Sequence, residues 1–214
     1  MSTPVLLVDY GVGNLLSVSR ALQAVGGLVE QTGDPARIAA AERVVLPGVG
    51  AFGGCMDELK KRALVEPVRA YASSGRPLLG ICVGMQLLFD SSDEFGHQDG
   101  LGLLPGTVSA IPATTDAGQR RKIPHIGWNA LRPAGARNAW SVGVLADTRP
   151  GDAVYFVHSY AARPADPADV LAVAGYEGFS VTAAVGRGAI AGCQFHPEKS
   201  GPVGLTMLRR FLSV

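Results

Sequence analysis

The chain has 214 residues, of which 47% are hydrophobic and 17% charged, so it can bury a sizeable core and is too apolar to be disordered. Its formal net charge of +1, with no basic block and no acidic tail, gives no indication of a nucleic-acid partner. No apolar run approaches the ~18 residues of a membrane span, and the N-terminus lacks the charged and apolar regions of a signal peptide.

Three cysteines, Cys55, Cys82 and Cys193, lie far apart in the sequence. An odd number at this spacing fits neither a disulfide framework nor a zinc knuckle. We therefore expect a cytoplasmic protein whose thiols are free for chemistry.

The first half of the chain alternates short apolar runs with amphipathic segments. The runs predict buried strands at Pro4 to Asp9, Val44 to Leu46 and Pro77 to Ile81. The amphipathic segments predict helices from Leu15 to Val25, over about residues 55 to 72, and from Met85 to Phe89 onwards. This alternation is typical of a parallel sheet with helices on both faces.

After about residue 100 the strands follow one another with little helix between them. Predicted strands are Val108 to Ile111, Val154 to Tyr160, Val170 to Tyr176, Val181 to Val185 and Ala189 to Phe195, followed by a helix from Val203 to Leu212. Residues 112–122 read as an exposed loop. The expected fold class is therefore α/β, with an open, mostly parallel sheet, helices on both faces and added antiparallel strands. No repeat or linker divides the chain, so we expect one domain over residues 1–214.

The candidate nucleophile is Cys82, in the run Gly80-Ile81-Cys82-Val83-Gly84 at the junction of a predicted strand and helix. This is the nucleophile-elbow pattern with cysteine in place of serine. Such a turn presents the sulfur at the carboxyl edge of the sheet, where open α/β folds bind ligands. The start of the following helix favours a thiolate there. The alternative interpretation is a buried core cysteine beside chance glycines.

The candidate base is His196, in the run Gly192 to Ser200 that closes the last predicted strand. Alternation along a strand puts Gln194 and His196 on one face and their neighbours on the other. Glu198, two residues on, is close enough to accept the imidazole N–H. Nucleophile, base and orienting acid are the parts of a catalytic triad. The alternative is a surface turn, and the other three histidines have weaker claims to the role.

Acyl transfer also needs hydrogen-bond donors for the developing oxyanion. The amide of Val83, directly after the nucleophile, is one candidate. Gly48 and Val49, in the run Pro47 to Gly50 after the neighbouring strand, offer others, since glycine lets a peptide turn its N–H inward. Alone, this cluster is also compatible with an ordinary turn between a strand and a helix.

Taken together, these segments resemble the triad-type (class I) glutamine amidotransferases, whose fold is flavodoxin-like. Within that class the chain is most similar to the glutaminase subunits of imidazole glycerol phosphate synthase. The residues that carry this resemblance span nearly the whole chain in order: Asp9 to Leu15, Pro47 to Phe52, Gly80 to Leu88, Pro124 to Asn129, Tyr155 to Tyr160 and His196 to Ser200.

The resemblance implies a reaction in which Cys82 attacks the side-chain amide of glutamine and ammonia leaves with help from His196. Water then hydrolyses the glutamyl thioester to glutamate. The ammonia passes to a (β/α)8-barrel cyclase subunit, which makes imidazole glycerol phosphate and an aminoimidazole carboxamide ribotide in histidine biosynthesis. The resemblance implies no metal and no organic cofactor.

The resemblance also assigns binding residues. It places Gly50, Gln86 and Glu94 near the bound glutamine. It gives the backbone around His158, Ser159 and Tyr160 the amino-acid end of the substrate; many members have threonine at the position of Ser159, which keeps the hydroxyl.

Four further residues match family positions near the cyclase partner: Trp128, Asn129, Tyr155 and Lys199. For Lys199 the alternative is a plain solvated charge.

Three other functions compete with this interpretation. The first is the glutaminase of another class I amidotransferase, of the pyridoxal-phosphate synthase, anthranilate synthase or GMP synthase type. The second is a non-catalytic module, which the retention of all three triad residues argues against. The third is a stand-alone cysteine hydrolase, which would turn over glutamine without any partner.

Overall fold

The computed structural model describes residues 2–135, 140–141 and 143–214. The α-helices are α1 (Leu15–Ala24), α2 (Pro35–Ala40), α3 (Phe52–Lys61), α4 (Val65–Ser73), α5 (Val83–Gln86) and α6 (Gly201–Leu212). The strands are β1 (Thr3–Val8), β2 (Gly27–Thr32), β3 (Val44–Gly48), β4 (Leu78–Cys82), β5 (Phe89–Ser92), β6 (Gln98–Asp99), β7 (Leu104–Ala110), β8 (His125–Pro133), β9 (Ala153–His158), β10 (Tyr160–Pro164), β11 (Val170–Tyr176), β12 (Phe179–Arg187) and β13 (Ile190–Cys193).

Nine strands form one mixed sheet in the order β2-β1-β3-β4-β13-β12-β11-β8-β9. The first five strands are mutually parallel, in the strand order of flavodoxin-like folds. The remaining pairings are antiparallel. A second sheet, in the order β10-β7-β5-β6, has four strands. The predicted combination of a parallel core with added antiparallel strands is therefore confirmed.

Helices cover both faces of the large sheet because the chain reverses direction within it. The chain moves from β1 to β2 on one side of β1 and then returns to β3 on its other side. Since crossovers between parallel strands are right-handed, α1 and α2 lie on opposite faces. In agreement, α1 contacts α6, whereas α2 contacts α4.

The central strands read as continuous apolar runs because both of their faces are covered. Val44, Val45 and Leu46 of β3 have no solvent exposure, nor have Leu78 and Leu79 of β4. These two strands are adjacent and parallel, so the segments that follow them emerge at the same edge of the sheet. That edge carries the candidate site.

Two predicted helices differ from the structure. The single helix predicted over residues 55–72 is two helices, α3 and α4, because the chain turns at Ala63, whose φ is +56°. The helix predicted from Met85 to Phe89 ends at Gln86, and Phe89 instead begins β5. The carbonyls of residues 87–89 accept hydrogen bonds from the amides of residues 101–104. These carbonyls are therefore not available for the hydrogen bonds that a longer helix would need.

Six elements were not predicted: α2 and the strands β2, β5, β6, β8 and β10. β2 is an edge strand with partly exposed residues, so it lacks the continuous apolar run of its neighbours. In β8 the exposed side chains include Ile126 and Trp128, which obscures the usual alternation. The loop at 112–122 is largely irregular as expected, but Arg121 is buried with its guanidinium donating to the carbonyls of Thr114 and Glu177.

Candidate active site

Cys82 lies at a strained turn between β4 and α5. Its φ of +56° and ψ of −114° are rare for a residue with a side chain, and such strain concentrates at functional sites. The flanking glycines are sterically required. A Cβ on Gly84 would collide with the carbonyl oxygen of Leu46, and one on Gly80 would lie 2.7 Å from the carbonyl oxygen of Gly84. This local geometry is that of a nucleophile elbow.

His196 is held just past the end of β13 by its own backbone and by an acid. Its amide donates to the carbonyl of Tyr155 at 2.9 Å. Its Nδ1–H donates to Oε1 of Glu198 at 2.8 Å, in a short 3-10 turn over Pro197–Lys199. Nε2 is left free for the pocket that His196 shares with Cys82, and Cys82 is close enough to raise the pKa of the imidazole. The structure thus brings together the three residues predicted as nucleophile, base and orienting acid.

The electrostatics of the site favour a protonated imidazole. Burial by itself lowers the pKa of His196, but the hydrogen bonds and negative charges of Cys82 and Glu198 outweigh it and raise that pKa to about 9. Oε2 of Glu198 is buried without a hydrogen-bond partner among the described residues, so the carboxylate acts on the imidazole alone. At neutral pH the site therefore holds a proton ready for a leaving group.

A pocket of about 220 Å³ opens in front of Cys82. It is lined by Val49, Gly50, Cys82, Val83, Gln86, Glu94, Val157, His158, Ser159, Tyr160, His196 and Lys199. The structure therefore places in one cavity two of the three predicted oxyanion residues, all six predicted glutamine-binding residues, and two of the three triad residues. The third triad residue, Glu198, lies behind His196.

The loop predicted to supply the oxyanion donors lies beside the nucleophile. Gly48 pairs with Cys82 in the parallel ladder between β3 and β4, and it packs behind the pocket rather than lining it. A Cβ on Gly48 would lie 2.5 Å from the amide nitrogen of Gly84, so this close approach requires glycine. Val49 accepts a hydrogen bond from the thiol of Cys55 through its carbonyl, and Gly50 has a φ of +89°.

Two polar side chains, Gln86 and Glu94, also line the pocket. The Nε2 of Gln86 donates to the carbonyl of Tyr160 at 3.0 Å. Oε2 of Glu94 accepts a hydrogen bond from the backbone amide of Phe52 at 2.7 Å, which ties the carboxylate to the first turn of α3. Glu94 therefore ties the start of α3 to the pocket that it lines.

A buried polar network supports the segment His158 to Tyr160. Nδ1–H of His158 donates to the carbonyl of Tyr160 at 2.8 Å, and its Nε2 lies 2.9 Å from Nδ1 of His125. Burial lowers the pKa of His158 to about 3, so this ring is neutral. The other nitrogen of His125 lies 2.9 Å from Oδ1 of Asn129, whose Nδ2 donates to the carbonyl of Gly175. The side chain of Asn129, predicted at an interface, is thus occupied within the chain.

The other three predicted interface residues form a row beside the pocket, in which Trp128 and Lys199 are exposed and Tyr155 is half-buried. The Trp128 and Tyr155 rings meet edge to face with their centroids 6.0 Å apart. Nζ of Lys199 lies 5.9 Å from the centroid of the Tyr155 ring. Trp128 is 55% exposed, which is high for so large an aromatic side chain. We refer to Trp128, Tyr155 and Lys199 as the aromatic row.

Three residues near the site were not assigned roles from the sequence. His125 belongs to the network beneath His158. The hydroxyl of Ser200 donates to the carbonyl of His196 and accepts from the amide of Tyr155. Gln194 donates from Nε2 to the sulfur of Cys82 at 3.8 Å. The placement of Gln194 on the same strand face as His196 is a usable sequence signal, whereas the contacts of His125 with His158 and of Ser200 with Tyr155 join residues distant in sequence.

Within the described residues, no group of three or more histidine, cysteine, aspartate or glutamate side chains lies close enough together to hold a metal ion. The same part of the chain contains no helix with the length and hydropathy needed to cross a membrane.

Comparison with known proteins identifies the class. The family model described as Glutamine amidotransferase class-I matches residues 6–214. That range includes every residue that lines the pocket. The chain therefore belongs to the class I glutamine amidotransferases, as the sequence motifs predicted.

Similarity to curated relatives identifies the family within this class. "Imidazole glycerol phosphate synthase subunit HisH 1" of Legionella pneumophila (strain Lens) is 45% identical over 210 residues, covering 98% of this chain and 99% of the relative. "Imidazole glycerol phosphate synthase subunit HisH" of Syntrophotalea carbinolica is 46% identical over 211 residues, covering 97% and 98%. Within the class I amidotransferases, the chain belongs to this HisH family.

Solved structures share the fold at low sequence identity. A structure titled "Crystal structure of glutamine amidotransferase" has a TM-score of 0.71 and 17% identity, covering 98% of this chain and 99% of that chain. PurLQS from Thermotoga maritima has a TM-score of 0.70 and 18% identity, covering 100% and 98%. These likenesses confirm the predicted fold class.

Proposed function

We propose that this protein is the glutaminase subunit of imidazole glycerol phosphate synthase. It hydrolyses glutamine to glutamate and ammonia, and it delivers the ammonia to a (β/α)8-barrel cyclase subunit in histidine biosynthesis. The observation that carries the proposal is that Cys82 and His196 line one pocket, with Glu198 hydrogen-bonded to His196 behind it. Full-length similarity to HisH subunits supports the choice of pathway and partner.

The reaction follows from the arrangement of the triad. The sulfur of Cys82 attacks the side-chain amide carbon of glutamine, and the oxyanion that forms lies within reach of the backbone amides of Val83 and the 48–50 loop. Protonated His196 gives its proton to the leaving nitrogen, so that ammonia departs and a glutamyl thioester remains. His196 then takes a proton from water, which attacks the thioester to release glutamate and regenerate the thiol.

The position of the pocket suits delivery of ammonia to a second protein. Lys199 lines the pocket and also belongs to the aromatic row, so this row borders the catalytic cavity directly. Tryptophan and tyrosine side chains are typical anchors of protein interfaces. We propose that the cyclase subunit docks on this row and covers the pocket.

Reconstitution tests the proposal. The chain is mixed with the cyclase subunit of imidazole glycerol phosphate synthase, the formimino carboxamide ribotide substrate and glutamine. We expect one glutamate for each imidazole glycerol phosphate formed. An equal test with anthranilate synthase and pyridoxal-phosphate synthase partners serves as the matched control. Synthesis with one of those partners, and none with the cyclase, contradicts the assignment to histidine biosynthesis.

Two further expectations belong to the same proposal. Residues 1–214 form one glutaminase domain, which is supported by a cluster of buried core residues that extends from β1 to α6 within the described part of the chain. The protein works in the cytoplasm, which is supported by its free thiols at Cys55, Cys82 and Cys193. Cell fractionation checks the location, and limited proteolysis that yields one resistant core checks the domain.

A further inference from the structure

We propose that Gln194 is a positioning residue for the nucleophile: its side-chain amide donates a hydrogen bond to the sulfur of Cys82 and favours the thiolate. This inference rests on the proposed role of Cys82. It adds to the triad a buried, neutral hydrogen-bond donor to the sulfur.

Gln194 is completely buried, and its two amide atoms have different partners. Its Oε1 lies 2.9 Å from Nε2 of Gln86, and its Nε2 lies 3.8 Å from the sulfur of Cys82. Its backbone amide donates to the carbonyl of Ala183, which anchors the residue to β12. The side chain is therefore held between the pocket residue Gln86 and the nucleophile.

The orientation of the Gln194 side-chain amide is determined by a group outside the Gln194–Gln86 pair. The carbonyl of Tyr160 only accepts hydrogen bonds, so the atom of Gln86 that lies 3.0 Å from it must be the NH₂ group. That same NH₂ group contacts Gln194, so Gln194 must offer its oxygen there. The NH₂ group of Gln194 is consequently directed at Cys82. One backbone carbonyl thus determines which end of a buried glutamine faces the sulfur.

An NH₂ group only donates, so the sulfur must be the acceptor in this contact. A thiolate accepts hydrogen bonds far better than a neutral thiol does, and a donor to the charged form favours that form. At 3.8 Å the contact is long, as catalytic hydrogen bonds often are without substrate. Protonated His196 stabilises the thiolate by its positive charge, which is lost when the imidazole gives up its proton. The neutral amide of Gln194 can donate to the sulfur both before and after that step.

The test is the pH dependence of alkylation of Cys82 by iodoacetamide in the full-length chain, without glutamine and without a partner. Mass spectrometry quantifies the modified Cys82 peptide between pH 5 and 10. The variants are Gln194→Met and Gln194→Leu, which remove the donor and keep an apolar side chain of similar size. Gln23→Met, an exposed position on α1, is the control for the substitution itself.

We expect the pH of half-maximal alkylation to rise by roughly one unit in both donor-free variants, because one hydrogen bond to a charged group has about that effect. It should rise at least as far in Gln194→Glu, which replaces the donor with a carboxylate. The control should match the wild-type chain. Slow modification of the buried Cys55 and Cys193 reports that each variant is folded.

A folded Gln194→Met or Gln194→Leu chain whose half-maximal pH equals that of the wild type overturns the inference. If one of the two variants unfolds, the test uses the other variant and Gln194→Glu. An unchanged half-maximal pH in either folded chain also overturns the inference. The result is independent of the proposed function: alkylation needs no glutamine, whereas a failure of the glutaminase assignment shows only in reconstituted synthesis.

Discussion

The backbone amide of His196 donates a 2.9 Å hydrogen bond to the carbonyl of Tyr155. Tyr155 also belongs to the aromatic row, and its own amide donates to the hydroxyl of Ser200, which in turn donates to the carbonyl of His196. The proposed base is therefore clamped to the strand on which we expect the partner to dock. A protein that moves Tyr155 on binding would also move His196.

Replacing Cys82 should separate the two sources of ammonia. We expect Cys82→Ala and Cys82→Ser to abolish glutamine-dependent synthesis in the complex with the cyclase while ammonia-dependent synthesis continues. The thiol is needed only to release ammonia, so external ammonia bypasses it. Product formation with each nitrogen source measures the effect, with the wild-type complex as the reference. Normal use of glutamine by the Cys82 variants would show that another residue is the nucleophile.

Substitution of His196 should lower glutaminase activity more than substitution of Glu198. We expect His196→Ala to lower glutaminase turnover by ~10²–10⁴-fold, the usual cost of removing acid–base help. Glu198→Gln should cost less, because an orienting acid is easier to replace than the base. Initial rates of glutamate release by the activated complex give the comparison. Near wild-type activity in both variants would exclude the Cys–His–Glu scheme.

The pH profile should report the raised pKa of His196. Since the leaving nitrogen needs the imidazolium proton, activity should be present below that pKa of about 9 and lost as the pH rises through it. Glu198 contributes to raising the pKa, so Glu198→Gln should move this alkaline limb to lower pH. Profiles of kcat/KM are the measurement. Glu66→Gln, which removes an exposed charge on α4, should leave the limb where it is.

The isolated chain should be a poor glutaminase that its partner activates. It carries a complete triad, and uncontrolled activity would waste glutamine and release free ammonia. The glycine at position 50, with its φ of +89°, would let the 47–50 loop turn its amides toward the pocket only when the complex is assembled. Steady-state glutamate production is compared for the chain alone, with cyclase, and with cyclase plus acceptor ligand. Turnover by the lone chain as fast as by the ligand-bound complex contradicts this prediction.

Lys199→Ala should weaken assembly or coupling more than it weakens folding, because an exposed lysine usually contributes little to stability. Its Nζ lies over the Tyr155 ring at the edge of the pocket, where a partner would meet it. Binding titrations with the cyclase and thermal unfolding are both measured. Lys60→Ala, at an exposed position on α3 outside the pocket, is the control. If Lys199→Ala destabilised the fold and left coupling intact, the interface role assigned to Lys199 would be wrong.

Local sequence determined the parts of the site that depend on neighbours in the chain. The elbow at Cys82 follows from the glycines around it, since only they allow the close approach of α5 to β3. The His196–Glu198 hydrogen bond joins residues two apart, so their spacing was enough to predict it. The buried strands of the parallel core can be recognised in the sequence as apolar runs, because both of their faces are covered.

Tertiary structure decided what depends on partners far apart in sequence. The helix at Met85 ends early because the amides of residues 101–104 occupy the carbonyls that would follow it. Asn129 turns inward because His125 and the carbonyl of Gly175 satisfy its amide. The direction of Gln194 is set by the carbonyl of Tyr160 through Gln86. Hydrogen-bond donors and acceptors can be counted in a sequence, but only the folded chain determines which of them meet.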